Sequence, residues 1–310
     1  VKGAPEEIRV RATRIELADG TLAPLDAAAA ARLEVFEAAR AGEGMRLLAV
    51  GWRPAAGQET LDEAGEAELV FAGWCVFVDP PKASAAAAVL RLKAAGVHVK
   101  VISGDAAPVV QHLVATLGLP HRGLLTGHEI EAMTDSALAH RVGSVDLFAR
   151  VSPDQKLRII RALKARGHRV GFIGDGINDA PALKAADVGI SVDGATDVAR
   201  AAADMILLAP DLGVLADGIE EGRRTYANIM KYVRMGTSSN FGNMLSMAIA
   251  SLAIPFLPLT PVQVLINNLL YDLSEVGIPF YRADPQETAR PHGWDMADIL
   301  RFTLVRGPLS

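Results

Sequence analysis

Gly174-Asp175-Gly176-Ile177-Asn178-Asp179-Ala180-Pro181-Ala182-Leu183 is the stretch that decides the fold of this chain. It directly follows an apolar run, Val170-Gly-Phe-Ile173, which predicts a short buried strand. A turn at the carboxyl end of a parallel strand exposes its polar side chains to a ligand crevice. Here the turn presents the carboxylates of Asp175 and Asp179, and such oxygens suit Mg²⁺ bound together with phosphate. A solvated Asp-Gly turn would explain one aspartate and one glycine, but not the whole decapeptide.

Two elements upstream of this turn can complete a phosphate site. Ser103-Gly104-Asp105 follows a second β-branched run, Val97 to Ile102, and offers phosphate oxygens a hydroxyl and the backbone N–H groups of a tight turn. Lys156 can place an ammonium group beside a developing phosphoryl charge, although most single lysines are solvated surface groups. Either element alone is a weak signal, and their order along the chain favours a phosphoryl-transfer site.

Composition and charge exclude several classes of function. The chain has 310 residues, half of them apolar, which suffices for two domains, and its net charge of −5 offers no general attraction for nucleic acid. The single cysteine, Cys75, excludes an intramolecular disulfide and is expected to be a buried thiol without a catalytic role. The first residues contain neither an initiator methionine nor a signal pattern, so we expect the chain to begin inside a larger protein.

The soluble part alternates short β-branched runs with helical patterns, which predicts an α/β fold with a parallel sheet. Residues 1–72 differ, because they are rich in alanine and glutamate. Their pattern predicts a strand from Ile8 to Ile15, a turn at Asp19-Gly20 and a helix from Leu25 to Ala41. We therefore expect this segment to be the tail of a separate lobe.

A long uncharged run extends from Met235 to Tyr271. It is long enough to cross a hydrocarbon layer of ~30 Å and return, given about 20 residues per spanning helix. The prolines in Pro255-Phe-Leu-Pro-Leu-Thr-Pro261 would end one helix and start the next. Basic residues flank the run but are absent from its turn, which predicts a transmembrane hairpin with both ends in the cytoplasm. Two buried helices of a soluble core are the alternative.

The order of hydroxyl turn, lysine and Gly-Asp-Gly-x-Asn-Asp resembles that of haloacid-dehalogenase-like phosphotransferases. Flanking motifs narrow the resemblance to P-type cation-transporting ATPases. Lys2-Gly-Ala-Pro-Glu6 resembles their nucleotide-domain lysine motif, and Asp79-Pro-Pro-Lys82 resembles their hinge motif, which usually ends in arginine. Ser103-Gly-Asp105 stands where the family has Thr-Gly-Asp. Lys82 and Ser103 are chemically mild departures, and the resemblance covers essentially the whole chain.

The resemblance implies a haloacid-dehalogenase-like Rossmannoid phosphorylation domain with a partial nucleotide-binding lobe and a transmembrane helical hairpin. Residues 1–72 would be the C-terminal part of the nucleotide-binding domain, and residues 73–221 the phosphorylation domain. Residues 222–280 would form a stalk and two transmembrane helices. Residues 281–310 would form a cytoplasmic loop and the start of the next transmembrane helix.

The resemblance also implies roles for single residues, with Mg²⁺ and ATP as cofactors. Asp175 would coordinate the catalytic Mg²⁺, Ser103 would touch the phosphoryl group and Lys156 would stabilise it. The implied catalytic residues are Ser103, Lys156, Asp175, Asn178 and Asp179. The implied nucleotide-binding residues are Lys2, Arg46, Asp105 and Arg150.

The aspartate that this family phosphorylates lies in Asp-Lys-Thr-Gly-Thr, a string that does not occur in the 310 residues. Asp19-Gly20-Thr21 is a partial match. A dehalogenase-type nucleophile would stand two residues before it, where this chain has Leu17, so a surface turn explains it better. Because the nucleophile precedes the nucleotide lobe in the family, we expect it upstream of Val1. We also expect this chain alone not to turn over.

Polar residues in the uncharged run, and the carboxylates just after it, suggest an ion path, because such groups are costly inside a bilayer. Asn240 and Asn243 are neighbours on the first helix, while Asn268, Asp272 and Glu275 share one face of the second. Asn-Asn-Leu-Leu-Tyr-Asp272 resembles the magnesium-transporting branch of the family. We therefore predict that the transported ion contacts Asn240, Asn243, Asn268 and Asp272. Amides that join two helices are an alternative for Asn240 and Asn267.

The sequence thus favours a fragment of an ATP-driven Mg²⁺ transporter that works through an aspartyl phosphate. Its expected partners are ATP, the transported Mg²⁺, the lipid bilayer and the missing N-terminal part of the same protein. Its expected location is the inner membrane of a bacterium, multi-pass, with the soluble domains cytoplasmic. One alternative is a fragment of a pump for Ca²⁺ or another cation. A truncated chain that binds Mg²⁺ and nucleotide without turnover is a second. A soluble phosphatase of the dehalogenase type fits less well, since it predicts a nucleophilic aspartate within the chain and no hairpin.

Overall fold

The computed structural model describes residues 1–54, 66–209, 211–256 and 258–309. The chain divides into two compact units. The first consists of Val1–Leu90 and Val99–Asp211, and the second of Arg91–His98 and Leu212–Ser310.

The first unit begins with a five-stranded sheet in the order β1-β4-β5-β2-β3. Its strands are β1 (Lys2–Gly3), β2 (Ala12–Glu16), β3 (Leu22–Pro24), β4 (Met45–Trp52) and β5 (Leu69–Val78). Strands β2 and β5 are parallel, and the other pairs are antiparallel. Two helices accompany the sheet, α1 (Pro5–Arg11) and α2 (Ala27–Gly42). Ile8, Leu33, Leu69 and Phe71 form the apolar core that joins these elements.

This lobe confirms two of three local predictions. Helix α2 occupies the predicted helical stretch, and Gly20 has the positive φ of 81° that suits a tight turn. The predicted strand from Ile8 to Ile15 is wrong in its first half, because Pro5–Arg11 is helical. Proline at the helix start, acidic residues in the first turn and arginines in the last favour this helix. The expectation for Cys75 is also wrong, since its side chain is exposed.

The rest of the first unit has the predicted α/β architecture. Two three-stranded parallel sheets have the orders β6-β8-β7 and β11-β10-β9. Their strands are β6 (Val101–Ile102), β7 (Leu124–Thr126), β8 (Leu147–Ala149), β9 (Gly171–Ile173), β10 (Val188–Val192) and β11 (Met205–Leu207). The helices wholly within this unit are α4 (Ala107–Thr116), α5 (Gly127–Ala132), α6 (Asp135–Val142), α7 (Pro153–Ala165), α8 (Ala180–Ala185) and α9 (Asp197–Ala202). Helix α3 (Ala85–Ala94) begins in the first unit and ends in the second.

The ends of parallel strands lead into the residues that the sequence predicts for the site. Ser103 follows β6, Arg150 follows β8 and Gly174 follows β9, so three strand ends lead into the residues that the sequence singles out. A shared apolar core that includes Phe148, Ile159 and Phe172 packs these elements together. These strand ends, where the sequence predicts a ligand crevice, all belong to the first unit.

The second unit is helical. Its main helices are α10 (Leu212–Ala253), α11 (Pro261–Glu275), α12 (Pro285–Thr288) and α13 (Met296–Arg306). Helix α10 ends just before Pro255, and α11 begins at Pro261 with Thr260 and Gln263 as its capping box. The prolines thus separate two helices as predicted, although residue 257 of the predicted turn lies outside the described residues.

Within the described ranges, no helix combines the length and the apolar character needed to cross a membrane. Two helices, α10 and α11, occupy the predicted positions, and their arrangement as a transmembrane hairpin stays a prediction.

Candidate functional site

A cavity of about 890 Å³ in the first unit collects most of the predicted site residues. Seven of the nine residues predicted for catalysis or nucleotide binding line it: Arg46, Ser103, Asp105, Arg150, Lys156, Asp175 and Asp179. Lys2 and Asn178 are not part of its lining and are exposed. One crevice therefore contains carboxylates, a hydroxyl, an ammonium group and three guanidinium groups, those of Arg9, Arg46 and Arg150.

The loop after β9 is held by its backbone. A Cβ atom at Gly174 would lie 2.5 Å from the Cβ of Asp179, so only glycine fits there. The buried hydroxyl of Ser191 donates to the Gly174 carbonyl at 2.9 Å. The Asp175 carbonyl accepts from the Thr196 N–H at 3.0 Å and from the Thr196 hydroxyl at 3.3 Å. Since the Asp175 backbone is anchored while its side chain is exposed, this carboxylate is presented to the cavity.

Lys156 and Asp179 form an ion pair beside this loop. Nζ of Lys156 lies 2.6 Å from Oδ1 of Asp179, and the side chains are only 15% and 11% exposed. Oδ2 of Asp179 accepts from the Gly176 N–H at 3.1 Å, which ties the pair to the loop. Lys156 lies in the first turn of α7, whose start is fixed by a capping box between Ser152 and Gln155. The ammonium group thus belongs to the lining of the cavity.

The turn after β6 is closed by its own side chains. The Ser103 hydroxyl lies 2.8 Å from Oδ2 of Asp105, and the Asp105 N–H donates to the same hydroxyl at 3.0 Å. The Ser103 N–H donates to the Phe148 carbonyl at 2.9 Å, and the Val151 N–H donates to the Ser103 carbonyl at 3.1 Å. These bonds hold the turn against the end of β8, with its hydroxyl in the cavity.

Two arginines of the cavity are paired with carboxylates. Nε of Arg46 lies 2.6 Å from Oδ1 of Asp105, and Nη2 of Arg150 lies 2.8 Å from Oε1 of Glu6. Arg150 has a φ of 52°, a conformation that residues other than glycine rarely adopt and that is often found at functional sites. The four side chains are 29–57% exposed, so each pair contributes only about 0–1 kcal/mol. An anionic ligand can therefore displace these carboxylates at little cost.

Comparison with known proteins agrees with this geometry. A sequence model described as haloacid dehalogenase-like hydrolase matches residues 11–187, more than half of the chain. The chain belongs to the haloacid dehalogenase-like hydrolase family. A second model with the same description matches residues 156–219, which contain Lys156 and the Gly174 loop.

Curated relatives of this family member are cation-transporting ATPases. It is 44% identical to the magnesium-transporting ATPase, P-type 1, of Escherichia coli (strain K12), covering 100% of this chain and 34% of the relative. It is 39% identical to the probable cation-transporting ATPase F of Mycobacterium tuberculosis, covering 93% and 33%. It is 36% identical to the calcium-transporting ATPase of Bacillus subtilis, covering 87% and 31%. The predicted resemblance to P-type ATPases is confirmed, and the chain spans about a third of the length of these relatives.

Sequence reasoning missed three residues that shape this haloacid dehalogenase-like site. Glu6 pairs with Arg150 across 144 residues of sequence, and Ser191 and Thr196 bind the backbone of the Gly174 loop. Glu6 lies in the quoted Lys2-Gly-Ala-Pro-Glu6 motif, so its position was a usable signal. Ser191 had none, because a serine inside a strand pattern does not indicate what its hydroxyl contacts.

The four residues predicted for the ion path are all on the helices of the second unit. Asn240 and Asn243 lie on α10, and Asn268 and Asp272 on α11. A cavity of about 540 Å³ in this unit is lined by Asp272 but not by the three asparagines. Across the ranges that the structure describes, no group of three or more His, Cys, Asp or Glu residues is arranged to hold a metal ion.

Proposed function

We propose that this chain is the magnesium- and phosphate-binding part of an ATP-driven Mg²⁺ transporter that uses an aspartyl phosphate. The observation that carries the proposal is the single cavity in which Asp175, the Lys156–Asp179 pair and the Ser103 turn meet. Its identity of 44% over the whole chain to magnesium-transporting ATPases supports the assignment.

The donor set of the cavity fits a hard cation with phosphate. The exposed Asp175 carboxylate supplies an oxygen ligand, and Mg²⁺ is typically held by one or two carboxylates together with phosphate oxygens. When bound, the ion would neutralise charge that develops on the phosphoryl oxygens. Asp179 would stay paired with Lys156 and keep the ammonium group directed at the phosphoryl group. Asn178, which is exposed on the loop after β9, would help to order that loop around the bound ion.

The hydroxyl turn and the arginines would bind the rest of the ligand. Ser103 would donate its hydroxyl to a phosphoryl oxygen, which requires that it leave Asp105. Arg46 and Arg150 would exchange their weak carboxylate pairs for the nucleotide, and Asp105 would then accept from a ribose hydroxyl. Lys2 would approach ATP from the other lobe, although it does not line the cavity in this structure.

The covalent step needs a residue that we do not find in this stretch. Asp-Lys-Thr-Gly-Thr does not occur in the 310 residues, so we propose that a nucleophile outside them takes the phosphoryl group. The stretch alone would then bind Mg²⁺ and nucleotide without forming a phosphoenzyme.

For transport, we propose that α10 and α11 form a hairpin in the inner membrane of a bacterium, with the first unit in the cytoplasm. The ion would pass Asn240, Asn243, Asn268 and Asp272. Few carboxylates suit Mg²⁺, which keeps several of its waters, whereas Ca²⁺ takes six to eight oxygens directly. A Ca²⁺ pump is the second candidate, because the Bacillus subtilis relative is a calcium-transporting ATPase.

Phosphorylation tests this proposal. The purified chain, and a longer protein that includes it and Asp-Lys-Thr-Gly-Thr, are incubated with radiolabelled ATP and Mg²⁺. An acid-stable, hydroxylamine-labile phosphoprotein is expected only for the longer protein. Label on the 310-residue chain would contradict the proposed external nucleophile. If the longer protein takes up Ca²⁺ instead of Mg²⁺, and this uptake is lost in Asp272→Asn, the result would favour the Ca²⁺ pump.

A further inference from the structure

Arg150 holds a backbone conformation that residues with a side chain disfavour. Its φ of 52° lies in the left-handed region, and among the non-glycine residues that the structure describes only Glu68 shares a positive φ. Such a conformation persists only where the surrounding structure enforces it. The contacts of the Arg150 backbone therefore identify what holds it in place.

This backbone is held on both sides by the segments that follow the neighbouring strands. Arg150 comes directly after β8, the central strand of the sheet β6-β8-β7. On one side its N–H donates to the Asp105 carbonyl at 2.9 Å, in the turn after β6. On the other side lies Gly127, the first residue after β7, where a Cβ atom would be only 2.0 Å from the Arg150 carbonyl oxygen. That oxygen thus occupies the space that any side chain at position 127 would need.

Gly127 is required for space and not for its own backbone angle. It is buried at the start of α5 and is not among the glycines with a positive φ. Alanine would therefore suit its backbone, and only the close approach of Arg150 and Gln155 excludes it. A substitution here would act first on the Arg150 peptide.

Gln155 ties the same contact together from α7. Its Nε2 donates to the Gly127 carbonyl at 3.0 Å, and its Oε1 accepts from the Ser152 N–H at 3.0 Å. Ser152 stands two residues after Arg150, so one amide side chain links the start of α5 to the chain that leaves Arg150. The Arg150 peptide is consequently enclosed by the Asp105 carbonyl, Gly127 and the Gln155 bridge.

We propose that Gly127 and Gln155 are positioning residues that hold Arg150 in its left-handed conformation and thereby direct its guanidinium group at an anionic ligand in the cavity. Arg150 lines that cavity, whereas Gly127 and Gln155 do not, so both act without touching the ligand. Since Asp105 fixes the Arg150 N–H, a return to a negative φ would swing the Cα–Cβ bond, and with it the guanidinium group, to another direction. This inference rests on the proposed role of Arg150 in nucleotide binding and adds the residues that set its direction.

Two ligands test the positioning role. The full 310-residue chain is titrated by calorimetry in detergent with ATP and, separately, with inorganic phosphate and MgCl₂. Arg150→Ala and Gly127→Ala are each expected to weaken ATP binding about tenfold, because either change withdraws the guanidinium group from the nucleotide. Phosphate affinity, which does not depend on Arg150, is expected to change less than about twofold. The double variant is expected to bind ATP no more weakly than Arg150→Ala alone, since Gly127 acts through that side chain.

A matched control and a second variant separate positioning from general stability. Gly143 also has a negative φ, −69°, and a Cβ there meets nothing closer than Nε of Arg166 at 3.8 Å, so Gly143→Ala should leave ATP affinity unchanged. Gln155→Leu keeps the bulk of the side chain but loses both hydrogen bonds, and is expected to weaken ATP binding about threefold. It decides the question if Gly127→Ala does not fold.

Three results would overturn the positioning role. They are an equal loss of ATP and phosphate affinity in Gly127→Ala, additive losses in the double variant with Arg150→Ala, and unchanged ATP affinity in Gln155→Leu. Failure of the proposed function has a different signature, because unchanged ATP affinity in Arg150→Ala itself would remove the nucleotide role of Arg150 and the positioning role with it.

Discussion

Nζ of Lys156 lies 2.6 Å from Oδ1 of Asp179, and this nearly buried ion pair joins α7 to the loop after β9. Asp179 also accepts from the Gly176 N–H at 3.1 Å, so the pair fixes the loop that presents Asp175. The same two side chains thus form a structural contact and belong to the proposed catalytic set. This relationship explains why changes at either residue should affect both stability and ligand binding.

Loss of the ammonium group should destabilise the first unit. Lys156→Met leaves the Asp179 carboxylate buried without its partner, which is expected to cost about 3–5 kcal/mol of unfolding free energy. Urea unfolding at neutral pH measures this. Lys184→Met on the exposed side of α8 is the control, and its effect should stay within about 0.5 kcal/mol. Equal stability of the two variants would contradict the structural role of the pair.

A methyl group at position 174 should displace the site loop. Gly174→Ala places its Cβ atom 2.5 Å from the Cβ of Asp179, so the carboxylate must move away from Lys156. We expect a loss of about 1–3 kcal/mol in stability and weaker Mg²⁺ binding, measured by urea unfolding and by calorimetry. Gly194→Ala serves as the control, because a Cβ there meets nothing within 4 Å. Unchanged Mg²⁺ affinity in Gly174→Ala would show that the close approach is unimportant.

The pairing of Arg150 with Glu6 should compete with nucleotide. Glu6→Gln removes the carboxylate that engages Arg150 at 2.8 Å. Because an exposed pair contributes about 0–1 kcal/mol, ATP affinity is expected to rise about two- to fivefold. Calorimetric titration of the chain with ATP measures this rise. Its neighbour Glu7 is also exposed, and Glu7→Gln should leave ATP affinity unchanged. A fall in affinity for Glu6→Gln would indicate that Glu6 helps to bind the nucleotide.

Acid should weaken the start of β9. The Val170 N–H donates to Asp187 at 2.9 Å, and this bond, despite burial and with help from Lys164 and Arg169, lowers the pKa of Asp187. A carboxylate with a lowered pKa stabilises the fold above its unfolded pKa of about 3.9, and this contribution is lost as the pH falls through the folded pKa. Asp187→Asn should therefore destabilise the chain at pH 7, with a deficit that shrinks below about pH 4.

Urea unfolding of Asp187→Asn and of the unaltered chain at several pH values checks this dependence. Asp193→Asn is the control, since Asp193 is 64% exposed and reaches Arg200 only at 4.0 Å. A deficit that grows as the pH falls would contradict the assigned sign.

Local signals predicted much of the fold. The Gly174 turn after an apolar strand, the helical stretch from Leu25 to Ala41 and the prolines between α10 and α11 each depend on a few neighbouring residues, so the sequence reveals them directly. Helix α1 was not predicted, because the alternating apolar residues in this segment also suit a strand. Pro5 and its acidic neighbours favour the helix that the structure shows.

Contacts between distant residues were not predictable in the same way. The ordered motifs indicated that Ser103, Lys156 and Asp175 share a site, because parallel strands end at one edge of a sheet. The bonds of Ser191 and Thr196 to the Gly174 loop depend on which strands and helices become neighbours.

The most direct test of the central claim is the Mg²⁺ dependence of phosphate binding by the first unit's cavity. Binding of inorganic phosphate to the 310-residue chain is measured with and without Mg²⁺, in the unaltered chain, in Asp175→Asn and in Asp193→Asn. We predict that Mg²⁺ tightens phosphate binding in the unaltered chain and in Asp193→Asn, and that this effect is lost in Asp175→Asn. Phosphate binding that is independent of Mg²⁺, or equally Mg²⁺-dependent in Asp175→Asn, would contradict the account.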